Sequence, residues 1–220
     1  MEINEATLFE AIDKMERTAL LQLLQDAFEN MNERTQRAVF GEIYKVHTKS
    51  ERNPDDLLAD IEAFYSRSLL GHYYAPFRIN SKNFMDVPEE TEEWFDKLGY
   101  YLDFTSELVA EKQYEAGIQC FKLLFELIDK MGDGEEIVFA DELGDWMITT
   151  KTDYVEHYII AVTHAAETTT EYVAALIPRL QEDSYFSFYN KVYKKIKKHA
   201  SKEQLQAINT AIEEHSIRVR

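Results

Sequence analysis

The sequence is poor in the residues that break chains and in those that staple them. It has seven glycines and four prolines in 220 residues. That is too few for the many tight turns of an all-β fold, and the deficit favours long helices. The single cysteine, Cys120, excludes an intrachain disulfide and suits a reducing compartment. No apolar run reaches the roughly 18 residues that a transmembrane helix needs. The opening residues, MEINEATLFEAIDKM, are acidic and lack the basic and apolar regions of a secretory leader. The expectation is a cytoplasmic protein without a membrane span.

Positive charge is also scarce. Against 41 Asp and Glu stand 24 Lys and Arg, a formal net charge of −17. Such a surface disfavours broad contact with nucleic acid or anionic lipid. The balance is uneven, since residues 184–220 carry a net +5 and residues 1–183 a net −22. The chain therefore reads as an acidic body with a mildly basic end.

What is present is helical periodicity. Leu8, Ile12 and Met15 follow a Thr7-x-x-Glu10 capping box. Leu20, Leu24, Ala27, Phe28 and Met31 recur at three- and four-residue intervals. Asn32 can cap a third helix, with Ala38, Val39, Ile43 and Val46 facing inward. Asn53-Pro54-Asp55-Asp56 starts a fourth, offering a capping amide, a proline at the first position and carboxylates against the positive end of the helix dipole. Pro88 opens another, which carries Trp94, Leu98 and Tyr101 on one stripe. Asp153 to Ala166 keeps Val155, Tyr158, Ile159 and Val162 on its core side. Thr168-x-x-Glu171 and Ser201-x-x-Gln204 are two further capping boxes. The helix opened by Thr168 contains Pro178, which is expected to bend or end it. Tyr185, Phe186, Tyr189, Val192, Tyr193 and Ile196 form an aromatic face, and Leu205, Ile208 and Ile212 line the last helix. Between Gly134 and Asp153, Ile137 to Phe139 could make a short strand, but the spacing of Phe139, Leu143, Trp146 and Met147 predicts a helix. About ten helices with short connections imply a single all-α domain, 1–220, built as a stack of antiparallel helical hairpins.

Residues 71–88 form the one long stretch without helical periodicity, and a soft division of the domain is expected there. It holds Tyr73, Tyr74, Phe77, Arg78 and Phe84. The preferred reading has its rings folded back onto neighbouring helices. The competing reading presents Tyr73, Tyr74, Phe77 and Arg78 to a partner.

Most catalytic chemistry lacks its signature. There is no GxxxxGK[ST], GxGxxG or HExxH. Aligning Asp129 to Ala140 as a calcium loop puts alanine where the bidentate glutamate belongs. His157 and His164 lie seven apart on one helix face near Asp153 and Glu167, a conceivable metal pair. That face is opposite the apolar stripe of Val155, Ile159 and Val162. Cys120 falls on a core stripe beside Phe121 and Leu124. Lysines in residues 191–202 form a weak basic patch, and their place near a helix C-terminus already suits the dipole. No cofactor and no nucleic acid is expected.

The stretch from Tyr100 to Met131 reads as two amphipathic helices joined near Lys112-Gln113. In its second half, YEAGIQCFKLLFEL, Gly117, Phe121 and Leu124 resemble the small, aromatic and small positions of a tetratricopeptide-type repeat. Tyr101, Phe104, Thr105 and Leu108 would be the first-helix positions. Leu124 is larger than that pattern has, Thr105 replaces a glycine and Asp129 replaces a proline. The resemblance spans about thirty residues and implies a hairpin stack of the kind that binds proteins or peptides. Trp94 and Trp146, on either side, are the expected packing anchors. The functional expectation is a non-enzymatic interaction or scaffold module with a protein or peptide partner. The alternatives are a helical metal protein using His157 and His164, and an acidic antagonist of a basic partner.

Overall fold

The computed structural model describes residues 4–32, 35–36, 38–41, 43, 53–83, 86–140, 144, 147–186 and 191–219. Among them the regular structure is helical, as the glycine and proline deficit implies, and the only strand-like feature is one isolated bridge. Val46, Phe84, Leu143, Trp146 and Tyr189 lie outside the described residues. So do the side chains of Tyr185 and Phe186. Contacts divide the chain into two units, Met1–Arg52 and Asn53–Arg220.

The first unit contains α1 (Glu5–Asp13) and α2 (Arg17–Glu29), with further helical residues between 35 and 43. The cap expected at Thr7 sits three residues earlier. The Asn4 side chain accepts from the Thr7 amide at 3.0 Å, which makes Thr7 the third helical residue. Asn32 does cap, accepting from the Thr35 amide at 2.9 Å. Neither α1 nor α2 buries a residue fully. Phe28 packs its edge on Phe40, 5.6 Å between centroids, yet Leu8, Phe9, Leu21, Leu23, Leu24, Phe28, Val39 and Ile43 all stay at least 40% exposed. Each such side chain, about half exposed, forgoes roughly half of the 1.5–3 kcal/mol that full burial supplies.

The second unit holds the core. Its helices are α3 (Pro54–Leu69), α4 (Glu89–Ala110), α5 (Tyr114–Gly132), α6 (Tyr154–Ala165), α7 (Thr169–Phe186), α8 (Lys191–His199) and α9 (Lys202–Glu214). α5 is the hub and packs on α3, α4 and α6. α6 also packs on α4, α7 and α8, while α7 pairs with α9 and touches α8. The α4–α5 turn is closed by Lys112, whose φ of +67° lets the Gln113 amide reach back to the Leu108 carbonyl at 2.9 Å. Gly117 then permits a close helix approach, because a Cβ there would stand 2.6 Å from Val109 Cγ2.

Trp94, fully buried on α4, anchors α3 through its indole. Nε1 donates to Ser68 Oγ at 2.9 Å, and that hydroxyl donates to the Phe64 carbonyl at 2.9 Å. Pro54 and Asn53 start α3 as expected, with Asn53 accepting from the Asp55 amide. Ser201 and Gln204 form the reciprocal capping box of α9, and Thr168 caps α7 by accepting from the Glu171 amide at 3.2 Å.

One local expectation is corrected and another is narrowed. The helix expected through Phe139 and Met147 does not include Phe139 or Ala140, which are non-helical, and Gly144 and Met147 take 3-10 conformation. Ile137 and Val138 are buried, Ile137 in a turn whose amide donates to the Glu135 carbonyl at 2.7 Å and Val138 in a bridge to Tyr73. The Phe139 carbonyl accepts from Thr91 Oγ1 at 2.9 Å. Tertiary hydrogen bonds and the left-handed turn at Gly134 (φ +76°) outweigh a helical spacing that is only four residues deep. Pro178, for its part, does not end α7, which runs on to Phe186. Leu176, Ile177 and Leu180 are all buried around it, and their packing offsets the cost of the proline within the helix.

A strap precedes α6. Thr149 lies over α4 so closely that a Cβ on Gly99 would meet the Thr149 carbonyl oxygen at 2.3 Å. One turn further along α4, buried Asp103 accepts from the Lys151 amide at 2.9 Å, the Thr152 amide at 3.0 Å and the Thr152 hydroxyl at 2.8 Å. Glycine and carboxylate together dock the strap and fix where α6 begins.

Candidate functional site

The aromatic segment after α3 is split between core and surface. Tyr73 is 1% exposed, with its edge against Phe64 at 5.6 Å and its hydroxyl receiving Lys97 Nζ at 3.3 Å. Lys97 is itself buried, paired with Glu93 at 2.7 Å and poised over the Tyr73 ring. Tyr74 and Phe77 are half-buried, and both lie edge-on to Phe139, at 6.3 and 5.4 Å. Arg78 is exposed, and its carbonyl accepts from the Asn83 side chain at 3.1 Å. The four residues therefore do not converge on one surface. Tyr73 is core, and the other rings close over the segment that follows α5.

The two histidines of α6 are also occupied separately. His157 Nδ1 lies 2.9 Å from the Asp153 carbonyl of its own helix start. The His164 ring stacks on Tyr114 with centroids 4.7 Å apart and 13° between planes. The Asp153 carboxylate caps α6 by accepting from the Glu156 amide at 3.0 Å, and it also receives Lys195. No cluster of three or more metal-ligating side chains exists among the described residues.

The lysines of α8 are partly spent on α6. Lys195 meets Asp153, and Glu156 accepts both Lys198 Nζ and His199 Nε2 at 2.7 Å. These two bonds hold the Glu156 carboxyl well below its usual range, at about 2. Lys197 lies 4.8 Å from the Tyr193 ring centre. Cys120 is fully buried, and burial raises its thiol to about 11, so it stays protonated at neutral pH. Arg179 of α7 grips Asp129 of α5 with two bonds, 3.0 and 2.6 Å, over the Phe125 ring. Burial alone would lower its pKa, but Asp129 and Glu182 outweigh that and leave it raised.

A concavity lies elsewhere, between α7 and α9, with a volume of about 730 Å³. Small and apolar side chains form its floor: Val173, Ala174 and Ile177 from α7, Ala207 and Ala211 from α9. Threonines 169, 170 and 210 and Gln206 edge it. Glu203 stands at one end of the α9 wall and Glu214 and His215 at the other. The Glu203 carboxyl is held below its usual range by a backbone amide and by Ser201, so it carries full charge at neutral pH. Pro178, exposed on the α7 wall, has no N–H, which leaves the Ala174 carbonyl in this groove without its helical donor.

Sequence reasoning did not find this groove. Its lining is mostly Ala and Thr, types that carry no chemistry in isolation, and it exists only because α7 and α9 pair. The one readable sign was Pro178 inside a helix. No known protein family, curated protein or solved structure matches the chain.

Proposed function

We propose that the protein is a helical interaction module that holds a segment of a partner protein in the α7–α9 groove. The partner segment is basic with small apolar anchors. The observation that carries this reading is the groove itself: an apolar floor of Val173, Ala174, Ile177 and Ala207 between carboxylates at the two ends of α9. Apolar contact with a few well-placed polar groups is what a peptide groove offers. The Ala174 carbonyl, which Pro178 deprives of its usual helical donor, adds an acceptor for a donor on the bound segment. Glu203 and Glu214, at the two ends of the α9 wall, support the sign of the partner, because opposite charge speeds encounter and rejects acidic competitors. The resemblance of the α4–α5 hairpin to a tetratricopeptide-type repeat supports the same class of role, by analogy only.

The test is selection from a displayed random-peptide library against the purified full chain. The expected sequences carry Lys or Arg on both sides of small apolar residues. Ala174→Trp, which fills the groove from an exposed position, is expected to abolish their binding. Glu203→Lys and Glu214→Lys are each expected to weaken it several-fold at low salt and less at high salt. Selected peptides that are acidic, or that bind Ala174→Trp as well as the parent, would overturn the proposal.

A further inference from the structure

The groove between α7 and α9 specifies its occupant by shape as well as by charge. Thr170, Ala174 and Ile177 on α7 and Ala207, Ala211 and Glu214 on α9 line it at spacings of four and three residues. Each wall is therefore one stripe of a helix, and the two stripes face the same trough. From Glu203 to Glu214 the α9 wall rises about 16 Å, roughly three helical turns. Most of these side chains are short, so a rod laid along the trough comes close to both helix axes. A segment lying there must also satisfy its own backbone. The walls are helices whose amides and carbonyls are bonded internally, apart from the Ala174 carbonyl and the first-turn amides. An extended segment of about five residues would span the same distance, and its backbone N–H and C=O groups would meet an apolar floor with few partners. A helix bonds its own backbone and avoids that cost.

The two walls also set a direction, because α7 and α9 run parallel. Their caps, Thr168 and Ser201, lie together in a second concavity beside the groove, and Thr169 and Glu203 line both. The positive ends of two helix dipoles thus sit at one end of the groove. At the other end stand Glu214, in the last turn of α9, and Pro178 of α7. A helix entering with its C-terminus toward Thr169 sets its own negative end against those two positive ends. A lysine or arginine in its last turn then meets Glu203, and its positive N-terminus meets Glu214. The opposite direction brings like signs of the dipoles together.

Building on the proposed role of the groove, we infer that the partner segment binds as an amphipathic α-helix of about three turns, antiparallel to α7 and α9. Its small apolar residues lie three and four apart on the buried face, and its last turn lies over Thr169 and Glu203.

The probes are the peptides recovered by library selection against the full chain. Their small apolar residues are expected to recur at three- and four-residue spacing, and a proline placed mid-sequence is expected to weaken binding at least about tenfold. Peptides of this length hold little helix alone, so mixing is expected to raise the far-ultraviolet helical signal above the sum of the parts. A nitroxide on the peptide's C-terminus is expected to broaden the amide resonances of Thr170 and Glu203 more than those of Ile177 and Glu214. Peptides whose apolar residues alternate, which tolerate proline and gain no helix yet still fail to bind Ala174→Trp, overturn the helical pairing and leave the groove as a binding site. The reverse broadening pattern overturns its direction. A selection that returns no binder overturns both the helical pairing and the role of the groove.

Discussion

At the scale of single residues, two positions on α4 carry more than their size suggests. Gly99 has no room for a methyl group, because the Thr149 carbonyl fills that space. Gly99→Ala must push the strap away and is expected to cost about 1–3 kcal/mol, the range for overpacking. Asp103 gathers two amides and a hydroxyl from the same strap. Asp103→Ala strands those donors beneath the surface and is expected to cost about 2–3 kcal/mol. Urea titration of both variants checks these values, and a loss under 0.5 kcal/mol in either, on the order of an ordinary surface substitution, would remove the strap from the list of what holds the fold. Neither position was legible in the sequence. A glycine within a helix and an acid among forty others say nothing until the crossing segment is placed.

At the scale of elements, the α6–α8 contact has a pH signature. Glu156 titrates at about 2 in the folded protein because Lys198 and His199 donate to it. Its unfolded value is the ordinary one near 4.5, and the folded value lies below it. The contact therefore stabilises the fold fully above that value and loses its contribution as pH falls toward 2. Glu156→Gln is expected to flatten the fall of melting temperature between pH 5 and 2.5; a variant with the same acid slope as the parent would rule out Glu156 as a contributor.

The helices themselves were largely readable. Caps at Asn32, Asn53, Thr168 and Ser201, and the stripes of α3, α4, α5 and α6, all come from spacings that local physics enforces. The segment after α5 was not readable, because Val138 and Phe139 take their conformation from bonds to Tyr73 and Thr91, 65 and 48 residues away. The α7–α9 groove was hidden for a similar reason, since it belongs to a pairing of helices and to neither helix alone.

At the scale of the whole molecule, the two units differ in what protects them. Residues 1–52 contain no fully buried described residue, whereas the second unit carries all the fully buried side chains among the described residues. Hydrogen exchange read by mass spectrometry at about 1 µM is expected to exhaust the amides of α1 and α2 orders of magnitude before those of α5. Equal protection would mean that the first unit has a core of its own. The hub position of α5 carries a consequence for how the chain reaches its native state. Its neighbours α3, α4 and α6 come from adjacent stretches of sequence, and the described side-chain bonds between elements span at most 61 residues. Short separations keep the entropy of loop closure low, so folding is expected to be fast and to start around the α4–α5 hairpin. During synthesis the α4–α5 hairpin emerges before α7 to α9, so the groove between α7 and α9 is expected to form after it. Truncating Leu124 is accordingly expected to slow refolding, whereas truncating Ile208 is expected to hasten unfolding and leave the refolding rate almost unchanged.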